Sequence, residues 1–313
     1  VLMVGRFLLR IVLLGLPALA IPAAYLLLLR DTVPAPRITN NIALNEKLAF
    51  VREHFADGVD VLAVGSSMTL NNLASDGVIA HFGTDRYVNA AAWGLGAAEL
   101  PVLGTLLTDR LRPHTVLVAT NLMDFRSAGR QLGTDSAAMA RFLDGGPLVL
   151  SYLRHWDAPY LLRQAEANRI RFRDPGNYEY LGFDDHGGAT LDVPADRIDR
   201  TRFNEAPPTA DRLDEARYEA FARFAHWLKA RGVKLMVVQC AYRDGLRTPA
   251  VDALQQAHVA RLRTLLEPLG HTLIDGNAHR WADDLFVDGS HLGRAGAAQF
   301  TDICLPPRGA GGR

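Results

Sequence analysis

The chain has 313 residues, 34 basic and 34 acidic side chains, and an apolar fraction of 49%. This composition excludes wholesale disorder, and a net charge of zero supplies no basic surface, so we expect no nucleic-acid partner. The two cysteines, Cys240 and Cys304, are too few for a disulfide scaffold or a CxxC site, and they leave open whether one disulfide or two buried thiols are present.

The first 30 residues are the most apolar part of the chain. Arg6 and Arg10 precede an uncharged run at 11–29, whose length of about 28 Å as a helix approaches the bilayer core of about 30 Å. We expect an uncleaved anchor that leaves residues 31–313 on the extracytoplasmic (periplasmic or extracellular) side. A cleaved signal peptide is the main alternative, since Ala18-Leu19-Ala20 resembles a cleavage site, and a buried soluble helix is a third.

After the anchor, residues 31–45 contain Pro34, Pro36 and Asn40-Asn41 and are predicted to form a linker. From residue 46 onward, helical and extended patterns alternate, which predicts a parallel sheet covered by helices on both faces. Such sheets bind ligands beyond the carboxyl ends of their strands. In chain order, the pattern predicts a helix at 46–57, strands at 59–64 and 86–90, a helix at 97–109, a strand at 114–120, a helix at 213–231, a strand at 233–238, a helix at 249–266, a strand at 271–275 and a helix at 292–304.

A long insert at 125–210 interrupts this alternation within the domain that spans 46–313. It contains predicted helices at 136–143 and 158–173, followed by a loop rich in Asp, Gly and Pro with a turn at 182–188. Irregular segments of this length usually cover or shape a site, so we expect the insert to do so.

Gly65-Ser66-Ser67-Met68-Thr69 lies at the end of the first predicted strand, where a helix can begin. A serine at such a turn has backbone N–H groups directed at its oxygen, which suits a nucleophile whose attack creates an oxyanion. The alternative is an ordinary helix cap. The nucleophile elbow of the α/β-hydrolases requires a glycine where this chain has Thr69, so that fold is not supported.

Asp288 and His291 are three residues apart in a predicted turn near the C-terminus. The carboxylate can reach one imidazole nitrogen and leave the other free for a serine. The alternative is a helix cap made by Asp288 or Ser290.

Two further segments follow strands. Gly94 and Gly96 come after the second strand, where a bare backbone amide can face a site; the alternative is a flexible turn. Asn121 ends the third strand, where its side-chain amide can donate to an oxyanion; the alternative is a turn residue.

The order of these four segments resembles that of the SGNH hydrolase superfamily, which includes the GDSL esterases and lipases. The resemblance implies a three-layer α/β/α fold with a parallel, five-stranded, flavodoxin-like sheet. It implies that Ser67 is the nucleophile, His291 the base and Asp288 the residue that orients the base. It also implies an oxyanion hole made of the Ser67 amide, the Gly94 amide and the Asn121 side chain. The segments that carry the resemblance are Gly65-Ser66-Ser67-Met68-Thr69, Asn89 with Gly94, Thr120-Asn121-Leu122-Met123-Asp124, and Asp288-Gly289-Ser290-His291-Leu292 with Gly296.

Three departures from the family pattern affect the expected function. Ser66 stands where the family has aspartate, Ala91 stands where it has glycine, and the insert replaces a short connection. A Gly-Ser-Ser block behind a membrane helix is similar to envelope acyl-transfer members, such as the teichoic-acid D-alanylation protein and polysaccharide O-acetylation proteins that work beside a membrane-bound O-acyltransferase. We therefore expect an enzyme that adds or removes an O-acyl group on an envelope polysaccharide, with such an acyltransferase as partner.

Two alternatives remain from other functional classes. One is a broad carboxylesterase or lipase that acts on small esters, and the other is a non-catalytic module that binds glycan or scaffolds an acyltransferase. We expect no cofactor and no metal: His279, Asp283 and Asp284 could join Asp288 and His291 as ligands, but the resemblance uses the last two differently. Four arginines of the insert could meet an anionic glycan or a lipid phosphate, or form a solvated helix face: Arg163, Arg169, Arg171 and Arg173.

Overall fold

A computed structural model describes residues 32–126 and 135–307, and within the N-terminal segment positions 5, 10–16, 20, 24 and 28. Over these described residues, no helix combines the length and the apolar character that crossing a bilayer requires. Most of the anchor predicted at 11–29 lies outside the described residues, so the anchor stays a prediction.

A five-stranded sheet forms the centre of the fold, and every strand pairing in it is parallel. Along the sheet the second strand comes first, followed by the first, third, fourth and fifth. This confirms the predicted α/β architecture with a parallel five-stranded sheet. Each of the five segments predicted as a strand is a strand in the structure, and the first strand is shorter than predicted. The strands are β1 (Val61–Ala63), β2 (Tyr87–Asn89), β3 (Thr115–Thr120), β4 (Lys234–Gln239) and β5 (Thr272–Asp275).

Helices cover both faces of the sheet, and each face has its own apolar core. Successive residues of a strand point to opposite faces. Val116 of β3 therefore belongs to one core and its neighbour Leu117 to the other. One face is covered by α1 (Ile42–His54), α4 (Leu100–Leu111), α9 (Glu215–Ala230) and α10 (Pro249–Leu266); the other is covered by α2 (Ser67–Asn72), α3 (Ser75–Phe82) and α11 (Arg294–Cys304).

The segment before α1 packs against the insert. Helix α1 begins at Ile42, inside the segment predicted as a linker, and the Asn41 side chain caps it by accepting a bond from the Leu44 N–H. The Tyr152 hydroxyl donates to the Pro34 carbonyl at 2.9 Å. Asn168 donates to the Thr32 carbonyl at 3.2 Å. Residues 32–41 are therefore part of the folded domain, because the insert supplies partners for their backbone.

In its described residues from 135 onward, the insert has three successive helices, a long loop and a short fourth helix. Both predicted helices are confirmed, and a further helix between them was not predicted. The loop contacts the carboxyl edge of the sheet, where the Asn89 N–H donates to the His186 carbonyl at 2.7 Å. The Asn71 side chain at the end of α2 donates to the Ala189 carbonyl at 2.6 Å. The helices are α5 (Ser136–Leu143), α6 (Leu148–Arg154) and α7 (Ala158–Arg171), and a short α8 (Arg200–Phe203) follows the loop.

Candidate active site

Ser66 and Ser67 follow β1 at a sharp turn into α2. Gly65 has φ +148°, and a Cβ there would lie 2.4 Å from the Thr69 hydroxyl, so the turn favours glycine. Ser66 is the N-cap of α2, and its hydroxyl accepts a bond from the Met68 N–H at 3.1 Å. Ser67 is the first residue of the helix. The turn therefore gives the first serine a capping role and leaves the second hydroxyl for other partners.

Asp288 and His291 lie in a turn just before α11. One oxygen of Asp288 accepts bonds from the N–H groups of Ser290 and His291 at 2.9 and 2.7 Å. The other lies 2.8 Å from His291 Nδ1. Burial opposes ionisation of Asp288, but the charge and hydrogen bonds of His291 and the two backbone N–H groups lower the pKa of the carboxyl to about 2. Asp288 is therefore an anion at neutral pH.

Ser67 Oγ lies 2.8 Å from His291 Nε2. Because the Asp288 anion accepts a hydrogen bond, a neutral His291 carries its proton on Nδ1 and has Nε2 free to accept the Ser67 proton. The structure thus brings all three predicted residues into one hydrogen-bonded series from Ser67 to His291 to Asp288. Such a series can raise the nucleophilicity of a serine hydroxyl.

Two predicted oxyanion donors lie at the same site. Gly94 has φ +68°, a left-handed conformation that favours glycine, and it lines a cavity beside Ser67. Among the bonds of the described residues, neither the Ser67 N–H nor the Gly94 N–H has an acceptor. Both amides are therefore available to a developing negative charge.

The third predicted oxyanion donor, Asn121, does not reach the cavity. Its side chain is fully buried, with the amide nitrogen 3.0 Å from the Met68 sulfur and the oxygen accepting a bond from the Met123 N–H at 2.9 Å. Met68 lines the cavity and Asn121 lies behind it. The orientation has a local cause, since the Asn121 oxygen caps the short helix that follows and the amide nitrogen then lies against the Met68 sulfur.

Two cavities of about 270 and 250 Å³ meet at Ser67, Asp288 and His291. Arg202, from α8 of the insert, lines both of them, and its guanidinium lies over the Tyr178 ring at 4.2 Å. The Tyr178 hydroxyl donates to the Val287 carbonyl at 2.7 Å, next to Asp288. The insert therefore shapes the site, as its length predicted.

Asp124 also belongs to the site, a position that was not predicted for it. Its carboxyl group lines the larger cavity and accepts bonds from the hydroxyls of Thr120, at 2.8 Å, and Ser66. Burial raises its pKa to about 6. Arg217 lines the same cavity, and a Cβ at Gly96 would lie 2.6 Å from its guanidinium. Gly96 therefore makes room for Arg217, a role that its position in the sequence does not show.

Other candidate groups lie apart from this arrangement. The Asp283 carboxylate pairs with Arg243 at 2.7 Å. Within the described part of the chain, no three His, Cys, Asp or Glu side chains are grouped to hold a metal ion. Cys240 and Cys304 are free, buried thiols in the structure.

No protein-family model matches the chain, and no curated protein matches it. A solved structure from Bacteroides fragilis, described as a "putative acylhydrolase", is similar over 81% of this chain and 89% of its own, with 11% identity and a TM-score of 0.39. A likeness at this level carries no argument about what the present chain does.

Proposed function

We propose that this protein is a serine-dependent acyl-ester enzyme of the SGNH type. It adds or removes an O-acyl group, acetyl-like in size, on a cell-envelope polysaccharide or exopolysaccharide. The observation that supports this most directly is the series in which Ser67 Oγ and His291 Nε2, and His291 Nδ1 and Asp288, are each 2.8 Å apart. This series of side chains lies beside the unpaired N–H groups of Ser67 and Gly94, in a cavity large enough for a small acyl group.

In the proposed reaction, Ser67 Oγ attacks the acyl carbonyl carbon while His291 Nε2 takes the hydroxyl proton. Asp288 stabilises the imidazolium that forms. The N–H groups of Ser67 and Gly94 donate to the oxygen that becomes negative. The tetrahedral intermediate then expels the leaving alkoxide, which receives the proton from His291, and an acyl-Ser67 ester remains. Water or a sugar hydroxyl next attacks that ester by the reverse steps.

The cavity lining favours a polar acceptor over a fatty acyl chain. Arg126, Arg202 and Glu205 line the larger cavity together with apolar side chains such as Leu95 and Met123, whereas a lipase pocket for an alkyl chain would be largely apolar. Charged and hydrogen-bonding groups suit a hydroxyl-rich sugar, because a polar acceptor can satisfy them when water is displaced. This supports a polysaccharide acceptor over the broad carboxylesterase or lipase.

The proposal also includes the anchor and a donor. An anchor at 11–29 would hold the domain outside the cytoplasm beside a membrane-bound O-acyltransferase, where the local concentration of acyl donor is high. The insert, which contributes Tyr178 and Arg202 to the site, would position the acceptor and keep competing water away.

The first test concerns the nucleophile and uses its neighbour as the matched control. A fluorophosphonate probe is expected to label the wild-type protein and the Ser66→Ala variant. The Ser67→Ala variant should stay unlabelled, because only Ser67 contacts His291. Ser66→Ala removes a helix cap, for which we expect a stability loss of about 1 kcal/mol. Absence of labelling in a folded wild-type protein would favour the non-catalytic module instead.

The second test separates transfer from hydrolysis. Turnover of a small activated acyl ester is measured with and without envelope oligosaccharides, and the transferred acyl group is followed by mass spectrometry. We expect slow hydrolysis that gives way to acyl transfer when an acceptor is present. Fast hydrolysis unaffected by any acceptor, together with normal polysaccharide acylation in cells that carry Ser67→Ala, would identify a plain esterase.

A further inference from the structure

Helix α6 of the insert has an unusually apolar and exposed surface. None of its residues is buried, although most of its side chains are large and apolar. We call the set Leu148, Val149, Leu150, Leu153 and Trp156 the α6 apolar surface; its members are between 47% and 65% exposed. Scattered exposed apolar residues are normal, but a contiguous group of this kind marks an interaction surface.

Helix α7 also carries exposed apolar side chains, since Leu162 and Ile170 are 55% and 53% exposed. In the described part of the chain, these side chains and those of the α6 apolar surface remain accessible to solvent. The free energy that folding would gain by burying these side chains is therefore still available to a binding partner.

The α6 apolar surface lies beside the point where the chain turns toward its apolar N-terminal run. Tyr152 of α6 is bonded to Pro34, and Asn168 of α7 to Thr32. The run at 11–29 ends three residues before Thr32, and three extended residues span at most about 10 Å. Thr32 and Pro34, which follow the most apolar segment of the sequence, are thus held against α7 and α6.

Basic and aromatic side chains accompany the apolar ones. Arg154 ends α6, and Arg163 lies on α7, where its charge acts on the Asp157 carboxylate. Trp156 lies two residues after the end of α6. Tryptophan at the headgroup level, apolar side chains below it and arginines beside them are the combination that amphipathic helices use on an anionic bilayer.

We propose that the α6 apolar surface lies in the interfacial layer of a lipid bilayer. It would form a second membrane contact of the protein besides the run at 11–29. The two contacts together would fix the orientation of the domain on the membrane, whereas a single anchor leaves it free to rotate. This inference does not depend on acyl chemistry at Ser67, because it involves none of the residues around that site.

The test places a reporter on the α6 apolar surface of the 313-residue chain. Leu153→Cys carries a polarity-sensitive fluorophore, and the protein is reconstituted into vesicles of phosphatidylglycerol and phosphatidylcholine with brominated acyl chains. Ile303→Cys is the matched control, since Ile303 is 40% exposed on α11 over the opposite face of the sheet. Both positions are exposed, so neither change leaves a cavity, and the native cysteines are buried from the dye.

We expect the fluorophore at residue 153 to shift to the blue and lose most of its emission to the brominated chains, while that at residue 303 keeps its emission. Equal emission from both positions would overturn the proposal. A blue shift at residue 153 that the brominated lipid does not quench would also overturn it. In that case protein covers α6, either the segment at 11–29 or a second copy of the chain.

Discussion

Ser66 and Ser67 are adjacent in the chain and have different surroundings. The Ser66 hydroxyl also lines the cavity, but it caps α2 and bonds to the Asp124 carboxyl group and not to His291. The Ser67 hydroxyl faces His291. The difference arises because Ser66 has the extended backbone of a cap, with φ −82° and ψ −166°, while Ser67 begins the helix. One peptide unit thus separates a structural serine from the proposed nucleophile.

Asp288 acts on the reaction through His291 in the proposed mechanism. Asp288→Asn removes the negative charge and can hold the imidazole in the wrong tautomer. We therefore expect turnover of an activated ester to fall by a factor on the order of 10⁴, as in the serine-triad precedent, with a much smaller change in substrate binding. Steady-state kinetics separate the two effects.

Asp284→Asn is the matched control for that prediction, since Asp284 is exposed on the same loop. It should leave turnover unchanged. Near-normal turnover in a folded Asp288→Asn protein would show that the pair of Asp288 and His291 is structural only.

At the scale of elements, α1 joins the N-terminal segment to the insert. The Glu46 carboxyl group on α1 accepts a bond from the Ala35 N–H at 2.9 Å and another from the Asn168 side chain on α7. Burial raises its pKa to about 7, although these bonds and the charge of Arg171 act in the opposite direction. A titratable group therefore lies where three parts of the chain meet.

Glu46 makes the stability of the protein depend on pH. A carboxyl group whose pKa is raised on folding favours the folded state below its unfolded pKa, near 4.5, and this contribution is lost as pH rises through about 7. We expect the Glu46 contribution to the free energy of unfolding to fall by up to about 3 kcal/mol between pH 4.5 and pH 8. Glu46→Gln should remove this dependence.

Denaturant unfolding of the wild type and of the Glu46→Gln variant, at pH 4.5 and pH 8, measures the difference. Glu53→Gln on the exposed side of the same helix is the control and should follow the wild type. If the free energy of unfolding depends on pH in the same way in Glu46→Gln and in the wild type, then ionisation of Glu46 does not destabilise the folded protein.

The insert lines the cavity and also contacts the loops that carry the site residues. Its loop bonds to Asn89 at the end of β2, and its Tyr178 hydroxyl bonds to the Val287 carbonyl beside Asp288. Leu191 forms a bridge with Gly293 at the start of α11. The insert therefore contacts the loops on which both halves of the site are built, which supports the proposal that it determines the shape of the acceptor site.

For the molecule as a whole, the proposed function requires that the N-terminal anchor stays attached to the domain that carries the site. The uncharged run continues to Leu29, beyond the possible cleavage site at Ala18-Leu19-Ala20. We therefore predict that the mature protein keeps its N-terminus and remains in the membrane fraction after a high-salt wash. N-terminal sequencing and fractionation measure this. A released, soluble protein that begins near Ile21 would show instead that the segment is a signal peptide.

Much of the fold was predictable from the sequence because strand and helix patterns are local. The apolar run of β3 is buried on both faces of the sheet, and such runs are typical of parallel strands between helices. The pairing of Asp288 with His291 was also predictable, because a separation of three residues lets both side chains meet within one turn. These inferences depend on neighbours in the chain, which the sequence shows directly.

Only the tertiary structure decided which of the distant residues meet. Ser67 and His291 are 224 positions apart, and their contact depends on how α2 and α11 pack on one face of the sheet. Asn121 was expected at the oxyanion from a resemblance, yet its amide nitrogen lies against Met68, while Asp124 lines the cavity although no role was predicted for it. The exposure of α6 was also decided by the tertiary structure, because the sequence pattern of an apolar helix is the same whether the helix is buried or exposed. Whether a side chain is buried depends on contacts between residues that are far apart in the sequence. These contacts form only when the chain packs, so the local sequence pattern does not show them.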